Sequence, residues 1–224
     1  MESENLVMRL ATERDIDTLT DINRICFPGL ARWRGPRSHT RKWWRLLLDA
    51  DYCEVWVCEN NEELIGFTEL TFDKARYASE WNKHKPSFFA ALYIFVSSPR
   101  LCIVKIKEKL KKNAAKNSKR SSISSSSDEV QRKTSEGNLL LDTKISWIGP
   151  SAVVPGMRGK GISIEIHKHC FERARSLGYR EICAVVERDN IMSRVMVAIL
   201  GFVVIKETDN ILFYKKALEV DFDT

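Results

Sequence analysis

Val153-Val154-Pro155-Gly156-Met157-Arg158-Gly159-Lys160-Gly161-Ile162-Ser163 is the stretch whose reading decides the fold. Before it, Trp147 to Val154 reads as a strand that stops at Pro155. After it, Ile162, Ile166, Cys170, Ala174 and Leu177 recur at helical spacing, so a long amphipathic helix begins near Gly161. Between the two lies a basic, glycine-rich turn. The first N–H groups of a helix lack intrahelical partners and carry the positive end of its dipole, which favours an anion. Gly159 and Gly161 let the backbone approach that anion without a Cβ in the way, and Arg158 and Lys160 add charge. A phosphate or pyrophosphate suits this chemistry. The plainer alternative is a structural turn with solvated charges.

Three phosphate-loop designs separate here. A Walker loop needs glycine where Val154 stands and a hydroxyl residue where Gly161 stands, so it fails. A dinucleotide fingerprint needs a third glycine at Ile164 and fails too. The third design is arginine, two residues, glycine, one residue and a small residue, and Arg158, Gly161 and Ser163 fill it. This resembles the acyl-CoA pyrophosphate loop of the GNAT superfamily, the acetyl-CoA-dependent N-acyltransferases. Ser163 stands where the family usually has Gly or Ala. A second motif follows at the right spacing: Asn190, Ser193, Met196, then Gly201-Phe202. Two ordered motifs separated by a strand are more specific than either alone.

The resemblance implies an α/β (α+β) fold with a mixed, mostly antiparallel sheet flanked by helices. Its loop strand and the next strand splay apart at their C-terminal ends. Pantetheine would lie in that opening, its amides pairing near Ala152, Val153 and Val154. The pyrophosphate would rest on Arg158, Gly159, Lys160, Gly161, Ile162 and Ser163, and Asn190 would touch the cofactor arm. An amine would then attack the thioester of acetyl-CoA directly, with the strand amide near Val153 polarising the carbonyl. Many family members place a general-acid tyrosine four residues before the Gly-Phe pair. That position is Val197 here, leaving Tyr214, Cys183 or a water as substitutes. Glu69, in a strand, is the candidate base for the incoming ammonium, against the alternative of an exposed strand glutamate. A catalytically inactive CoA-binding or membrane-associated regulatory module would also fit Val197.

The order of elements agrees with the resemblance. Leu6 to Leu10 is a short strand. Thr12 caps a helix with Asp15 closing a capping box, and Ile16, Leu19, Ile22 and Ile25 form its core face. The loop from Arg32 to Arg37 is basic and aromatic, either a phosphate or nucleic-acid contact or a solvated loop. Ser38 or Thr40 caps a second helix carrying Trp43, Trp44, Leu47 and Leu48. Glu54–Glu59 and Leu64–Phe72 form a hairpin. After the loop helix, which Gly178 stops, come a strand from Glu181 to Val186 and a helix capped by Asp189 or Asn190. That helix bears Val195, Met196, Ile199 and Leu200 and ends at Gly201. Phe202–Lys206 and Ile211–Lys215 close the chain as a hairpin. His167 and His169 share a helix but point to nearly opposite sides, so no metal site is expected.

A single domain over 1–224 is therefore expected, with an insertion at 73–142. Within it, 81–112 has helical character broken near Pro99, and 113–138 is Ser- and Lys-rich, as in disordered chain. The stretch Phe88 to Leu110 admits three readings. It is a helical hairpin packed on the domain or a homodimer contact, a peripheral membrane anchor through 88–112, or a wall for a long acyl chain or lipid-like acceptor. The whole chain carries a net charge of +6, yet Arg100 to Arg120 alone carries nine basic residues against Glu108, so the remainder is slightly acidic. Those lysines lie among aliphatics rather than stacking aromatics, which argues against nucleic acid. With no signal-peptide pattern at the start and six scattered cysteines, the expectation is a cytoplasmic protein with reduced thiols, or a peripheral membrane one. The partners expected are acyl-CoA and an amine acceptor, either a small molecule or a protein.

Overall fold

The computed structural model describes residues 6–27, 36–83 and 145–218. They build a mixed sheet from β1 (Leu6–Leu10), β2 (Cys53–Asn60), β3 (Glu63–Thr71), β4 (Ile145–Val153), β5 (Glu181–Glu187), β6 (Val203–Glu207) and β7 (Ile211–Ala217). The strand order is β1-β2-β3-β4-β5-β7-β6, and only β4 and β5 run parallel. The helices are α1 (Ile16–Cys26), α2 (Arg37–Leu48), α3 (Lys74–Lys83), α4 (Ile162–Ser176) and α5 (Ile191–Ile199). The expected mixed, mostly antiparallel fold flanked by helices is borne out.

Each sheet face has its own cover. Leu19, Ile22, Trp43, Trp44, Leu47 and Tyr77 bring α1, α2 and α3 onto Val55, Val57, Phe67 and Ala152. On the opposite face Cys170, Phe171 and Ala174 of α4 meet Leu70, Ile148 and Ile182, with Val197, Phe202 and Tyr214. Burying a side chain of this size stabilises by about 1.5–3 kcal/mol, so these two layers supply most of the driving force. Local signals fix the ends. The Thr12 N–H and hydroxyl both donate to Asp15 Oδ2, at 2.7 and 2.9 Å, and Arg9 clamps the same carboxylate. The β2–β3 turn needs two left-handed residues, supplied by Asn61 and Glu62. Gly178 and Gly201, at φ 82° and 78°, end α4 and α5 as expected.

Several expectations are corrected. Ile25 is 55% exposed, because three steps of three residues rotate it half a turn from Ile16. Asn23, seven residues from Ile16, returns to that side and is buried instead. Leu177 lies past the last turn of α4 and is exposed, and α5 buries Val197 and Leu200 while Val195 and Ile199 face outward. The N-cap of α2 is Pro36, not Ser38 or Thr40. The excursion after β3 turns helical at Lys74 rather than Trp81, because Asp73 Oδ1 accepts from the Arg76 N–H at 2.8 Å and so caps α3. The readings made for 88–112 and 113–138, and most of the loop from Arg32 to Arg37, lie outside the described residues. Among the described residues no helix is long and apolar enough to cross a membrane.

Candidate functional site: a split between two parallel strands

Pairing of β4 with β5 runs from Ile145↔Glu181 to Ile148↔Ala184 and stops there. Both strands continue, β4 to Val153 and β5 to Glu187, so beyond Ile148 they part. The β3–β4 register also shifts between Thr68 and Leu70, opposite Gly149 and Pro150. A Gly-Pro pair inside a strand is the sequence mark of such a bulge, because proline cannot donate to a ladder. The bulge turns the second half of β4 away from β5. Val154 N–H donates to Ile65 O at 2.9 Å, which commits it to β3. By strand alternation, the polar groups of Val153 and Ser151 face the side that β5 has left. Of the trio Ala152, Val153 and Val154, it is therefore Val153 that presents its backbone to the opening.

Both parting strands lead into helix N-termini. After β4 a single 3₁₀ turn (Pro155–Met157) delivers Arg158 to Gly161, and Gly161, at φ 80°, is the N-cap of α4. Gly159 has the same φ, and a Cβ on either glycine would meet nothing within 4 Å, so the loop is open on its outer side. After β5, Asn190 caps α5, its Oδ1 accepting from the Ser193 N–H at 3.1 Å. Two positive dipole ends thus flank the split. Arg158 does not extend outward. Its Nε donates to Val153 O at 3.0 Å and its Nη2 lies 3.3 Å from Cys26 Sγ, tying the loop to the end of β4 and of α1.

A buried polar chain braces this corner from the α4 side. Thr68 Oγ1 and Ser151 Oγ are 2.6 Å apart, Ser151 Oγ lies 3.3 Å from His167 Nε2, and His167 Nδ1 donates to Ser163 O. Burial pushes the His167 pKa below its ordinary value, against the pull of the Ser163 carbonyl. A neutral ring with its proton on Nδ1 matches these partners. His169 instead lies edge-on to Trp56 on β2, with centroids 4.3 Å apart. The two histidines therefore serve different neighbours.

Glu69 sits at the root of the split, on the face covered by α1, α2 and α3. It is fully buried, not an exposed strand residue. Gly149 makes room for it: a Cβ there would stand 2.9 Å from Glu69 Cβ and 3.1 Å from Oε2. Tyr77 Oη donates to Glu69 Oε2 at 2.5 Å. Lys74 stands over the Tyr77 and Trp147 rings, 5.0 and 5.5 Å from their centroids. Burial lowers the Lys74 pKa while Glu69 opposes that shift, and burial first, then Glu69, pushes the Cys53 thiol well up. Tyr214 is on the other face. It pairs with Ala184, which pairs with Ile148, so it shares the last row before the strands part. Val197, at the family's tyrosine position, is 2% exposed and packs in the same core as Tyr214. Glu69 and Tyr214 are thus held on opposite faces of one root. Sequence reasoning missed Tyr77, Ser151 and the bracing role of His167. Only Gly149-Pro150 signalled the bulge that gathers them.

No family model matches the chain, and no curated protein matches it. Solved structures do. An N-acetyltransferase from Staphylococcus aureus is similar at TM-score 0.57 and 14% identity, over 96% of this chain and 99% of that one. The ribosomal-protein-S18-alanine N-acetyltransferase from Escherichia coli is similar at TM-score 0.54 and 9% identity, over 96% and 94%. A putative acetyltransferase from Salmonella typhimurium, solved with acetyl-CoA, gives TM-score 0.51 and 14% identity, over 96% and 94%. With the split strand, the loop and the strand order already described, this chain has the fold of the GNAT acetyltransferases.

Proposed function

We propose that the protein transfers an acyl group, acetyl in the first instance, from acyl-CoA to a primary amine within a ternary complex. One observation carries the reading. The edge of β4 is vacated from Gly149 onward, between two helix N-termini, with a buried carboxylate at the point of parting. The solved neighbour holding acetyl-CoA supports the choice of cofactor.

In this reading the pyrophosphate rests on the first-turn amides of α4, at Ile162 and Ser163, with Gly159, Gly161 and Lys160 around it. Arg158 holds the loop to Val153, and Asn190 lines the second helix terminus. Pantetheine runs along the free edge at Val153. The amine nitrogen attacks the thioester carbon, its proton passes to Glu69, and the C–S bond breaks to release the CoA thiolate. A backbone N–H on the free edge, near Val153, stabilises the oxyanion in the interval. Val197 cannot supply a proton, so the thiolate leaves as such or takes one from Tyr214, across the root, or from water.

The test is calorimetric titration with acetyl-CoA, followed by thiol release with spermidine, a lysine peptide and an alanine N-terminal peptide. The expected result is micromolar binding and thiol release with at least one amine. No binding sinks the cofactor site. Binding without release from any amine leaves a CoA-binding module.

A further inference from the structure

We propose that Tyr77, on the helix that opens the excursion between β3 and β4, is a positioning residue for Glu69 and that α3 is thereby part of the reaction centre. The proposal rests on the acyl-transfer reading and extends it, since nothing in the two sequence motifs reaches α3. Three observations carry it. Glu69 is fully buried, and a buried carboxylate needs a donor to hold both its charge and its direction. The Tyr77 hydroxyl is such a donor, to Oε2 at 2.5 Å, in the range of charge-assisted O–H···O contacts. The Tyr77 ring is itself fixed, edge-on to Trp43 at 5.8 Å and stacked on Trp81 at 6.0 Å. A rigid ring therefore aims one hydroxyl at one carboxylate oxygen, and Gly149, having no Cβ, lets β4 pass close against that same oxygen at the point where the strands part.

The arrangement sets what Glu69 can do. A hydrogen bond to the charged form favours that form, so Tyr77 keeps Glu69 ready to take a proton from an ammonium. Among the described residues, Lys74 on α3 also acts on Glu69 and favours its charge, and Cys53 on β2 is a buried thiol held neutral by that burial. Tyr77→Phe removes the hydroxyl and keeps the ring contacts with Trp43 and Trp81. The change is therefore read against an intact fold, checked by the melting temperature.

The experiment measures kcat/KM against pH for the whole protein, Tyr77→Phe, Glu69→Gln and the double variant. The substrates are acetyl-CoA and whichever of spermidine, the lysine peptide or the alanine peptide is turned over. Acetyl-CoA affinity is titrated alongside. Tyr77→Phe should move the acidic limb up by about one pH unit with acetyl-CoA affinity unchanged. Glu69→Gln should abolish that limb, and adding Tyr77→Phe to it should change nothing further. Turnover with superimposable profiles for parent and Tyr77→Phe overturns the proposal and spares the acyl-transfer reading. So does an additive effect in the double variant. Binding of acetyl-CoA without turnover of any amine overturns both.

Discussion

From Ile145 to Ile148, β4 pairs with β5, at Trp147 and Ile148 with β3 as well, and all four side chains are buried; from Gly149 to Val153 it keeps only β3. The first half is Ile-Ser-Trp-Ile, and the second is Gly-Pro-Ser-Ala-Val. In the first half the side chains do the work, Ile148 in the layer under α4 and Ile145 and Trp147 packed with Cys183. In the second the backbone does, because small residues and a proline leave a strand edge free and admit Glu69. A paired edge satisfies itself, whereas a vacated edge offers N–H and C=O groups to a ligand. One strand thus changes from a paired to a vacated edge at a single dipeptide, Gly149-Pro150.

This contrast breaks if changes in the two halves have the same consequence. The largest effect belongs to the paired half. Ile182, fully buried opposite Ser146, should cost about 3–4 kcal/mol in unfolding free energy when changed to Ala, read by urea denaturation. Acetyl-CoA affinity should stay within about twofold, since the protein that remains folded keeps its free edge. A comparable loss of affinity would mean that scaffold and surface are not separable.

Next comes the loop beyond the vacated half. Gly161→Glu forces a non-glycine residue to φ 80° and brings a negative charge to the α4 terminus. Affinity for acetyl-CoA should fall about 100-fold, or about 2.7 kcal/mol, by calorimetry. No neighbour lies within 4 Å of the new Cβ, so the core is untouched. Unchanged affinity would reduce the loop to a structural turn.

The smaller change at the dipeptide itself sharpens the contrast. A Cβ on Gly149 would crowd Glu69, which must then leave Tyr77 or push the bulge wider. Gly149→Ala should lower kcat about tenfold, with acetyl-CoA affinity held within about twofold. Equal falls in both would show that the bulge serves the cofactor rather than the proton transfer.

The two halves were unequally legible in the sequence. The loop, at Gly159 and Gly161, and the helix ends, at Gly178 and Gly201, announced themselves because all four glycines occupy left-handed backbone, where residue type and geometry are tightly bound. The succession of elements and caps such as Thr12 and Asn190 followed from patterns within a few residues, and the mixed sheet from the family resemblance. The root of the split did not. Glu69 looks like an outward strand residue until α3 covers it, and the partner that decides its environment, Tyr77, is a contact of folded space. Likewise the buried side of α1 was misplaced at Ile25, because counting apolar residues in steps of three drifts around a helix. The burial of Asn23 obeys the helix and not the apolar pattern.

The last test concerns the brace behind the vacated half and acts only in a window of pH. His167 is held neutral by burial, so its folded pKa lies below the ordinary value of 6.5. Above that value neither state binds the proton and the group is silent. As pH falls below it, the unfolded chain takes up a proton that the folded one refuses, so stability is lost on the acid side. Urea midpoints at pH 7.5 and 5.5 should therefore drop for the parent. In His167→Gln the drop should shrink, although the variant is less stable at pH 7.5 because Ser151 and Ser163 lose a partner. Because Ser151 lies in the half that β5 has left and Ser163 in the α4 terminus, acetyl-CoA affinity should weaken in the variant as well. An unchanged pH slope would mean that the folded ring takes up its proton as readily as the unfolded chain does, and that burial at the corner where β4 meets its loop does not hold it neutral.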